Sequence, residues 1–141
     1  MVNGVAETLT KIGKKKTTKD KIEALKKADS LGIRIMLQAA YDSNVEFLLP
    51  EGAPPYKKNE LVDQEHIFLK EANYVTYFIK GFHPNLTQTK REYMFVQFLE
   101  RLAPEDAEML VQAKDKIKVK GITLNHINEA FPGLIPENVE A

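Results

Sequence analysis

Apolar residues recur at intervals of three and four positions along most of this chain, which is the spacing that gives a helix one buried face. Ile33, Met36, Leu37 and Ala40 show the pattern most clearly. Similar stripes predict about six helices, over residues 17–28, 29–41, 62–80, 87–102, 104–117 and 123–131. The sequence therefore predicts a mainly α fold, a compact multi-helix bundle with at most a minimal two-stranded β piece.

Residues that favour a helix start precede several of these stripes. Hydroxyl side chains accept hydrogen bonds from the unpaired backbone N–H groups of a first helical turn, and proline is tolerated there. Pro104 is placed to begin the fifth helix. Caps are predicted at Thr17, Ser30, Thr87 or Thr89, and Thr123.

Two short stretches, residues 45–49 and 118–122, alternate apolar and polar side chains instead. Pairing between them would supply the minimal β piece. After the first stretch, the prolines between residues 50 and 55 remove backbone donors and predict a loop. These divisions predict a short basic N-terminal segment over 1–16, a single helical domain over 17–135 and a C-terminal tail over 136–141.

The composition excludes several classes of site and argues against others as the basis of function. The chain has 141 residues and no cysteine, which removes disulfides, thiolate metal sites and cysteine nucleophiles. Its 20 basic and 20 acidic residues cancel, so there is no overall field to hold it on nucleic acid or on an anionic membrane. Without a secretory signal or a long apolar run, we expect a cytoplasmic protein with no membrane segment.

Catalytic and metal-binding motifs are missing from the sequence. There is no nucleophile elbow and no phosphate-binding glycine loop. The histidines, His66, His83 and His126, are too widely spaced in sequence to indicate a metal site. We therefore expect no catalytic residue, no metal and no cofactor, and a protein that is not an enzyme.

A run of lysines near the N-terminus is one candidate for binding. Ammonium groups this dense neutralise phosphates, which favours contact with nucleic acid. The run lacks arginine for base contacts and aromatic residues for stacking, so a solvated helix face is the favoured explanation. The candidate nucleic-acid-binding residues are Lys11, Lys14, Lys15, Lys16 and Lys19.

Two apolar segments are candidates for binding a protein partner. The proline-rich loop carries apolar anchors and a tyrosine, and the segment after the last helix carries three further apolar residues. The loop can alternatively lie across its own core, and for the segment after the last helix folding back onto the core is favoured. The candidate partner-binding residues are Leu49, Pro54, Pro55, Tyr56, Phe131, Leu134 and Ile135.

Three groups of residues carry a resemblance to a known family. They are residues 44–56 (NVEFLLPEGAPPY), 102–108 (LAPEDAE), and a set between 114 and 135 that includes KGIT and EAFPGLI. Together they resemble a family of small proteins of unknown function from large tailed bacteriophages, including cyanobacterial myoviruses. The resemblance spans about Thr17 to Ile135 and implies a virus-encoded protein acting in the host cytoplasm, but it brings no active site.

These observations predict a non-enzymatic phage protein that binds a host or phage protein during infection. The alternative is a nucleic-acid-associated accessory protein that uses the lysine-rich N-terminal region. A homo-oligomer formed through an uncovered apolar helix face is compatible with either prediction.

Overall fold

A computed structural model describes residues 3–136, and across that range the chain forms seven α-helices and one 3-10 helix. The predicted mainly α fold is confirmed. No helix among these residues is long and apolar enough to cross a membrane. The α-helices are α1 (Val5–Gly13), α2 (Thr18–Lys27), α3 (Leu31–Tyr41), α4 (His66–Glu71), α5 (Gln88–Arg101), α6 (Pro104–Lys114) and α7 (Leu124–Ala130), and the 3-10 helix Ala72–Phe78 follows α4 directly.

Hydroxyl side chains hold the first turns of four helices, as predicted. Thr17 Oγ1 accepts a hydrogen bond from the N–H of Asp20 at 3.1 Å, and Ser30, Thr87 and Thr123 cap α3, α5 and α7 in the same way. Of the two candidates for the start of α5, Thr87 is therefore the cap. Each such bond satisfies a backbone N–H that has no partner within its helix.

The apolar stripes bury one another in one core. Helices α3 and α6 pack together through it, and α2 packs on α7. Aromatic rings from α5 and the 3-10 helix fill one side. Phe78 meets Phe95 edge to face with 5.0 Å between ring centroids, and Tyr74 stacks on Phe98 at 4.8 Å. Most of the apolar spacing is thus explained by internal packing.

The start of the chain differs from the predicted division at residue 17. Residues Val5–Gly13 form α1 rather than a separate basic segment, and Val5, Leu9 and Ile12 are buried in the core. These three follow an i, i+4, i+7 spacing, but the lysines that come after them dominate the composition of the segment. In the predicted tail, residues 137–141 lie outside the described residues.

The predicted helix over 62–80 is wrong in two respects. Leu61 and Val62 are 69% and 79% exposed and precede a left-handed Asp63, with φ of 59°, so α4 begins only at residue 66. From residue 72 the helix tightens to 3-10. Its buried residues there, Ala72, Val75 and Phe78, are spaced by three, which places them on one face of a helix with three residues per turn.

The predicted pairing of 45–49 with 118–122 is also wrong. Phe47 instead forms an antiparallel bridge with Ile79, supported by a 2.8 Å hydrogen bond from the N–H of Leu48 to the carbonyl oxygen of Phe78. Residues 118–122 find a different partner, because the N–H of Val119 donates to the Tyr41 hydroxyl at 3.0 Å. The Tyr41 side chain, at the end of α3, therefore takes the place of the neighbouring strand that was expected.

Candidate interaction surface

The lysines predicted to bind nucleic acid lie along the end of α1, the turn that follows it and the start of α2. All five are exposed. Lys11 Nζ lies 3.1 Å from Glu7 on the same helix. The other four, within residues 3–136, make no such ion pair at 4.0 Å or less. Their charges are therefore available to a ligand.

A close backbone contact brings this end of α1 against a distant loop. Gly13 touches the backbone of residues 120–121 so closely that a methyl group on either Gly13 or Gly121 would overlap a carbonyl oxygen. Gly121 has φ of 85°, which favours glycine for a second reason. Lys21 Nζ donates to the carbonyl oxygen of Gly121 at 2.7 Å and holds the loop from the other side.

This contact joins the two walls of an open groove of about 580 Å³ between α1, α3, α6 and residues 117–120. We call it the basic groove. Its floor is apolar, and among residues 3–136 the charged side chains that line it are three lysines, with no carboxylate. The lining residues are Thr10, Gly13, Lys14, Ala40, Met109, Gln112, Ala113, Ile117, Lys118, Val119 and Lys120.

Lys118 and Lys120 were not among the predicted site residues. The sequence feature that could have indicated them is the apolar–polar alternation over 117–120, in which Val119 is buried and the neighbouring lysines are exposed. The sequence shows that these lysines point away from the core, but it does not show that they face Lys14. That placement depends on the contact of Gly13 with the 120–121 backbone.

The proline-rich loop lies across its own core. Leu49 and Tyr56 pack against core residues, Pro54 is half-buried, and Pro55 is exposed. Burial raises the pKa of Tyr56, and the nearby Glu108 carboxylate raises it further. Of the two interpretations of this loop, the structure favours the one in which it covers the core.

Polar contacts fix the loop in that position. Lys114 Nζ donates to the carbonyl oxygen of Pro50 at 2.8 Å and to Asp115 at 2.6 Å, and Asp115 accepts from the N–H of Gly52 at 2.9 Å. Further along, the N–H of Lys57 donates to a carboxylate oxygen on α5 at 2.8 Å. The loop is thus tied to both α5 and α6.

The apolar segment after α7 also folds back. Phe131 and Ile135 are buried, and Leu134 packs against the core. The Arg34 guanidinium lies 5.2 Å from the centroid of the Phe131 ring and covers it from α3. These three candidate partner-binding side chains are engaged within the chain.

Two ionisable groups with raised pKa values serve structural bonds. Burial raises the pKa of Asp106 to about 6, and its carboxylate accepts the N–H of Ala6 at 2.8 Å. Burial raises the pKa of Tyr41 to about 12, and its hydroxyl donates to the carbonyl oxygen of Ile122 at 2.6 Å. Within residues 3–136, the histidines and carboxylates form no group of three or more suited to a metal ion.

Fold and surface together define a small all-helical domain with a lysine-rimmed apolar groove. The chain belongs to the Family of unknown function (DUF6433), whose sequence profile matches residues 8–120. The predicted membership of an uncharacterised family is thereby confirmed. The match begins within α1 and ends at Lys120, so it includes all the residues that line the basic groove. A search of curated proteins finds no match to this chain.

Proposed function

We propose that this protein acts by binding a protein partner, without chemistry of its own, and that the basic groove is its binding surface. One observation carries the proposal: an apolar floor is rimmed by Lys14, Lys118 and Lys120, which come from two distant parts of the chain. An apolar centre with a polar, charged rim is the usual anatomy of a protein interface. The apolar segments nominated from sequence are largely engaged internally, which leaves the groove as the better surface.

The proposal that the protein is not an enzyme is supported by the structural roles of two side chains whose pKa values are strongly raised. Strongly shifted pKa values often mark catalytic residues. Here Asp106 caps α1 and Tyr41 holds residues 119–122, so a structural bond explains each environment. Neither side chain lines the basic groove.

The proposed setting is the cytoplasm of a bacterium infected by the phage that encodes the protein. It is supported by the resemblance of residues 44–56 and 102–108 to proteins of large tailed bacteriophages. The partner would then be a host or phage protein encountered during infection.

Site-specific crosslinking tests this function. Ile117 lines the groove and is 54% exposed, so a photoreactive phenylalanine analogue at that position should not disturb the core. Tyr93 on α5 is 63% exposed and lies outside the groove, and it is the matched control. In infected bacterial cells, irradiation should join one discrete protein to position 117 and not to position 93.

Charge reversal completes that experiment. Lys14→Glu together with Lys118→Glu should remove the crosslinked product at position 117 without changing the far-ultraviolet circular dichroism. Absence of any product at position 117, or the same products at both positions, would overturn the proposed function.

Nucleic-acid binding is the second candidate, because Lys15, Lys16 and Lys19 extend the cationic rim beyond the groove. Phosphate contacts are strongest at low salt. Labelled DNA and RNA, each single-stranded and double-stranded, should remain unbound at about 50 mM salt if the protein partner is correct. Binding that falls steeply with salt and is lost in the triple variant Lys14→Glu, Lys15→Glu, Lys16→Glu would favour nucleic acid instead.

A further inference from the structure

We propose that the segment bound in the basic groove is a short acidic peptide stretch with an apolar anchor, whose carboxylates face the three rim lysines. This inference rests on the proposed function and specifies the chemistry of the partner. It follows from the floor, the rim and the charge balance of the groove.

The floor selects for an apolar side chain. Met109, Ala113 and Val119 line it together with the half-exposed Ile117. A volume of about 580 Å³ accommodates one or two large side chains with part of their backbone. Methionine adapts its shape to different partners, so the floor suits a leucine or a phenylalanine anchor equally well.

The rim selects for negative charge. Lys14 stands at the end of α1, and Lys118 and Lys120 stand on the facing loop. Lys118 Nζ also lies 5.9 Å from the centroid of the Tyr41 ring, which holds its stem beside the groove. A segment with carboxylates on both sides of its anchor would meet lysines on both walls.

The helix ends at the groove do not cancel this charge. Helices α1, α3 and α6 all finish there, and a helix C-terminus carries about half a negative charge. Three full ammonium charges still outweigh three such ends. The lining of the groove therefore carries a net positive charge, although Glu105 and Glu108 line the adjoining cavity and the whole chain has a formal net charge of zero.

The same residues make a peptide a better fit than a nucleic acid strand. A sugar-phosphate backbone has no apolar group to place on Met109 or Val119, and bases bind by stacking on aromatic or arginine side chains. Among the residues that the structure describes, no aromatic residue and no arginine lines the groove. Thr10 and Gln112 add uncharged hydrogen-bonding groups, which suit a peptide backbone.

Fluorescence anisotropy of the full chain with synthetic probes tests the proposal. The probe is a labelled peptide with one Phe-Leu pair flanked on each side by three Asp residues. A peptide with Ser-Ser in place of Phe-Leu keeps its charge and lacks its anchor. The first peptide should bind at least tenfold more tightly than the second.

Variants assign the binding to the groove. Lys118→Glu with Lys120→Glu should weaken binding of the Phe-Leu peptide at least tenfold. The matched pair Lys57→Glu with Lys58→Glu makes the same change of charge at exposed sites outside the groove and should change affinity less than twofold. Ile117→Ser should weaken binding about threefold, and Tyr93→Ser should leave it unchanged.

Equal affinity for the two peptides, or equal effects of the two charge-reversal pairs, would overturn the proposal. Tight binding of single-stranded oligothymidylate with no peptide binding would overturn it as well. So would complete displacement of the peptide by an equimolar fatty acid such as decanoate. If both peptides fail while position 117 still crosslinks a protein that requires Lys14 and Lys118, the acidic-segment chemistry is wrong and the proposed function stands. If position 117 crosslinks nothing, the proposed function fails on its own test.

Discussion

Asp106 is a buried carboxylate that serves as the cap of a distant helix. The residue before α1 is Gly4, which has no side chain to cap it, and Asp106 Oδ1 takes that role by accepting the N–H of Ala6. Its second oxygen, Oδ2, has no hydrogen-bond partner among the described residues. A buried charge with one unused oxygen is costly, so protonation of this carboxyl should stabilise the fold.

The raised pKa of Asp106 determines the direction in which stability changes with pH. The pKa of Asp106 is about 6 in the folded chain and 3.8 for the free side chain, so between these values the folded state holds a proton that the unfolded state releases. Relative to Asp106→Asn, the wild-type protein should gain stability as the pH falls from about 7 to about 4. The gain is up to about 3 kcal/mol, because a pKa difference of one corresponds to about 1.4 kcal/mol.

Urea unfolding of both proteins across this pH range measures the effect. The asparagine variant keeps an oxygen acceptor for Ala6 and has no carboxyl to titrate, and subtracting its curve removes the contribution of the other acidic residues. Identical pH dependence in the two proteins would show that Asp106 titrates normally.

Tyr41 uses its hydroxyl to replace a β-strand neighbour. It accepts the N–H of Val119 at 3.0 Å and donates to the carbonyl oxygen of Ile122 at 2.6 Å, and both bonds are buried. Without the hydroxyl, the Val119 N–H would have no partner and no access to water. This one atom therefore positions the loop that carries Lys118 and Lys120.

We predict that Tyr41→Phe lowers the free energy of unfolding by about 1–3 kcal/mol, the cost of leaving a buried donor unpaired. Tyr93→Phe, at an exposed position, should change it by less than about 0.5 kcal/mol. Chemical denaturation measures both values. A loss at Tyr41 no larger than that at Tyr93 would mean that the loop is held in another way.

At the scale of elements, the end of α1 and the turn at residues 120–121 form one structural unit. Gly13 and Gly121 allow their backbones to touch, and Lys21 clamps the turn from α2. The two walls of the basic groove are set by this contact. Its disruption should therefore affect both stability and groove shape.

Gly121→Ala tests the contact against a control with a similar backbone. Gly52 also has a positive φ, of 90°, but nothing lies within 4 Å of the position where a methyl group would stand. Gly52→Ala should therefore cost only the left-handed strain, about 1–2 kcal/mol. Gly121→Ala adds overlap with the Gly13 carbonyl and should cost about 1–3 kcal/mol more. Equal losses in thermal or chemical unfolding would contradict the close contact.

At the scale of the whole molecule, a net charge of zero conceals an uneven distribution of charge along α1 and α6. Helices α1 and α6 begin together, where Ala6 bonds to Asp106, and end together at the basic groove. Glu7, Glu105 and Glu108 line a neighbouring cavity, which shares Lys14 and Gln112 with the basic groove. Carboxylates and lysines of this helix pair therefore meet where the two cavities adjoin, and the excess of positive charge is confined to the lining of the basic groove.

Because α1 forms one member of that pair, we predict that a chain beginning at Thr17 does not fold cooperatively. It would lack Val5, Leu9 and Ile12, each worth about 1.5–3 kcal/mol when fully buried, against a typical total stability of about 5–15 kcal/mol. Thermal unfolding followed by circular dichroism should show no sharp transition. The full chain with exposed Thr10 and Lys11 changed to alanine should retain one, and a cooperative transition in the truncated chain would show that α1 is dispensable.

The sequence by itself determined most helices and their starts, because these depend on local interactions. Apolar spacing located α2, α3, α5, α6 and α7, and a hydroxyl residue sufficed to place each cap at Thr17, Ser30 and Thr123. The local pattern also predicted that Lys14 is a charged residue on the surface. It gave the wrong geometry for Ala72–Phe78, where packing of residues spaced by three tightened the helix.

Only the tertiary structure decided which distant residues meet. The side chain of Asp106 caps a helix one hundred positions earlier, Tyr41 holds residues 119–122, and the glycine contact places Lys14 across a groove from Lys118. A short sequence window carries no information on such pairs, since each depends on how helices pack rather than on the neighbours of either residue. The candidate site is made of these long-range contacts, whereas the fold class is already present in the local pattern.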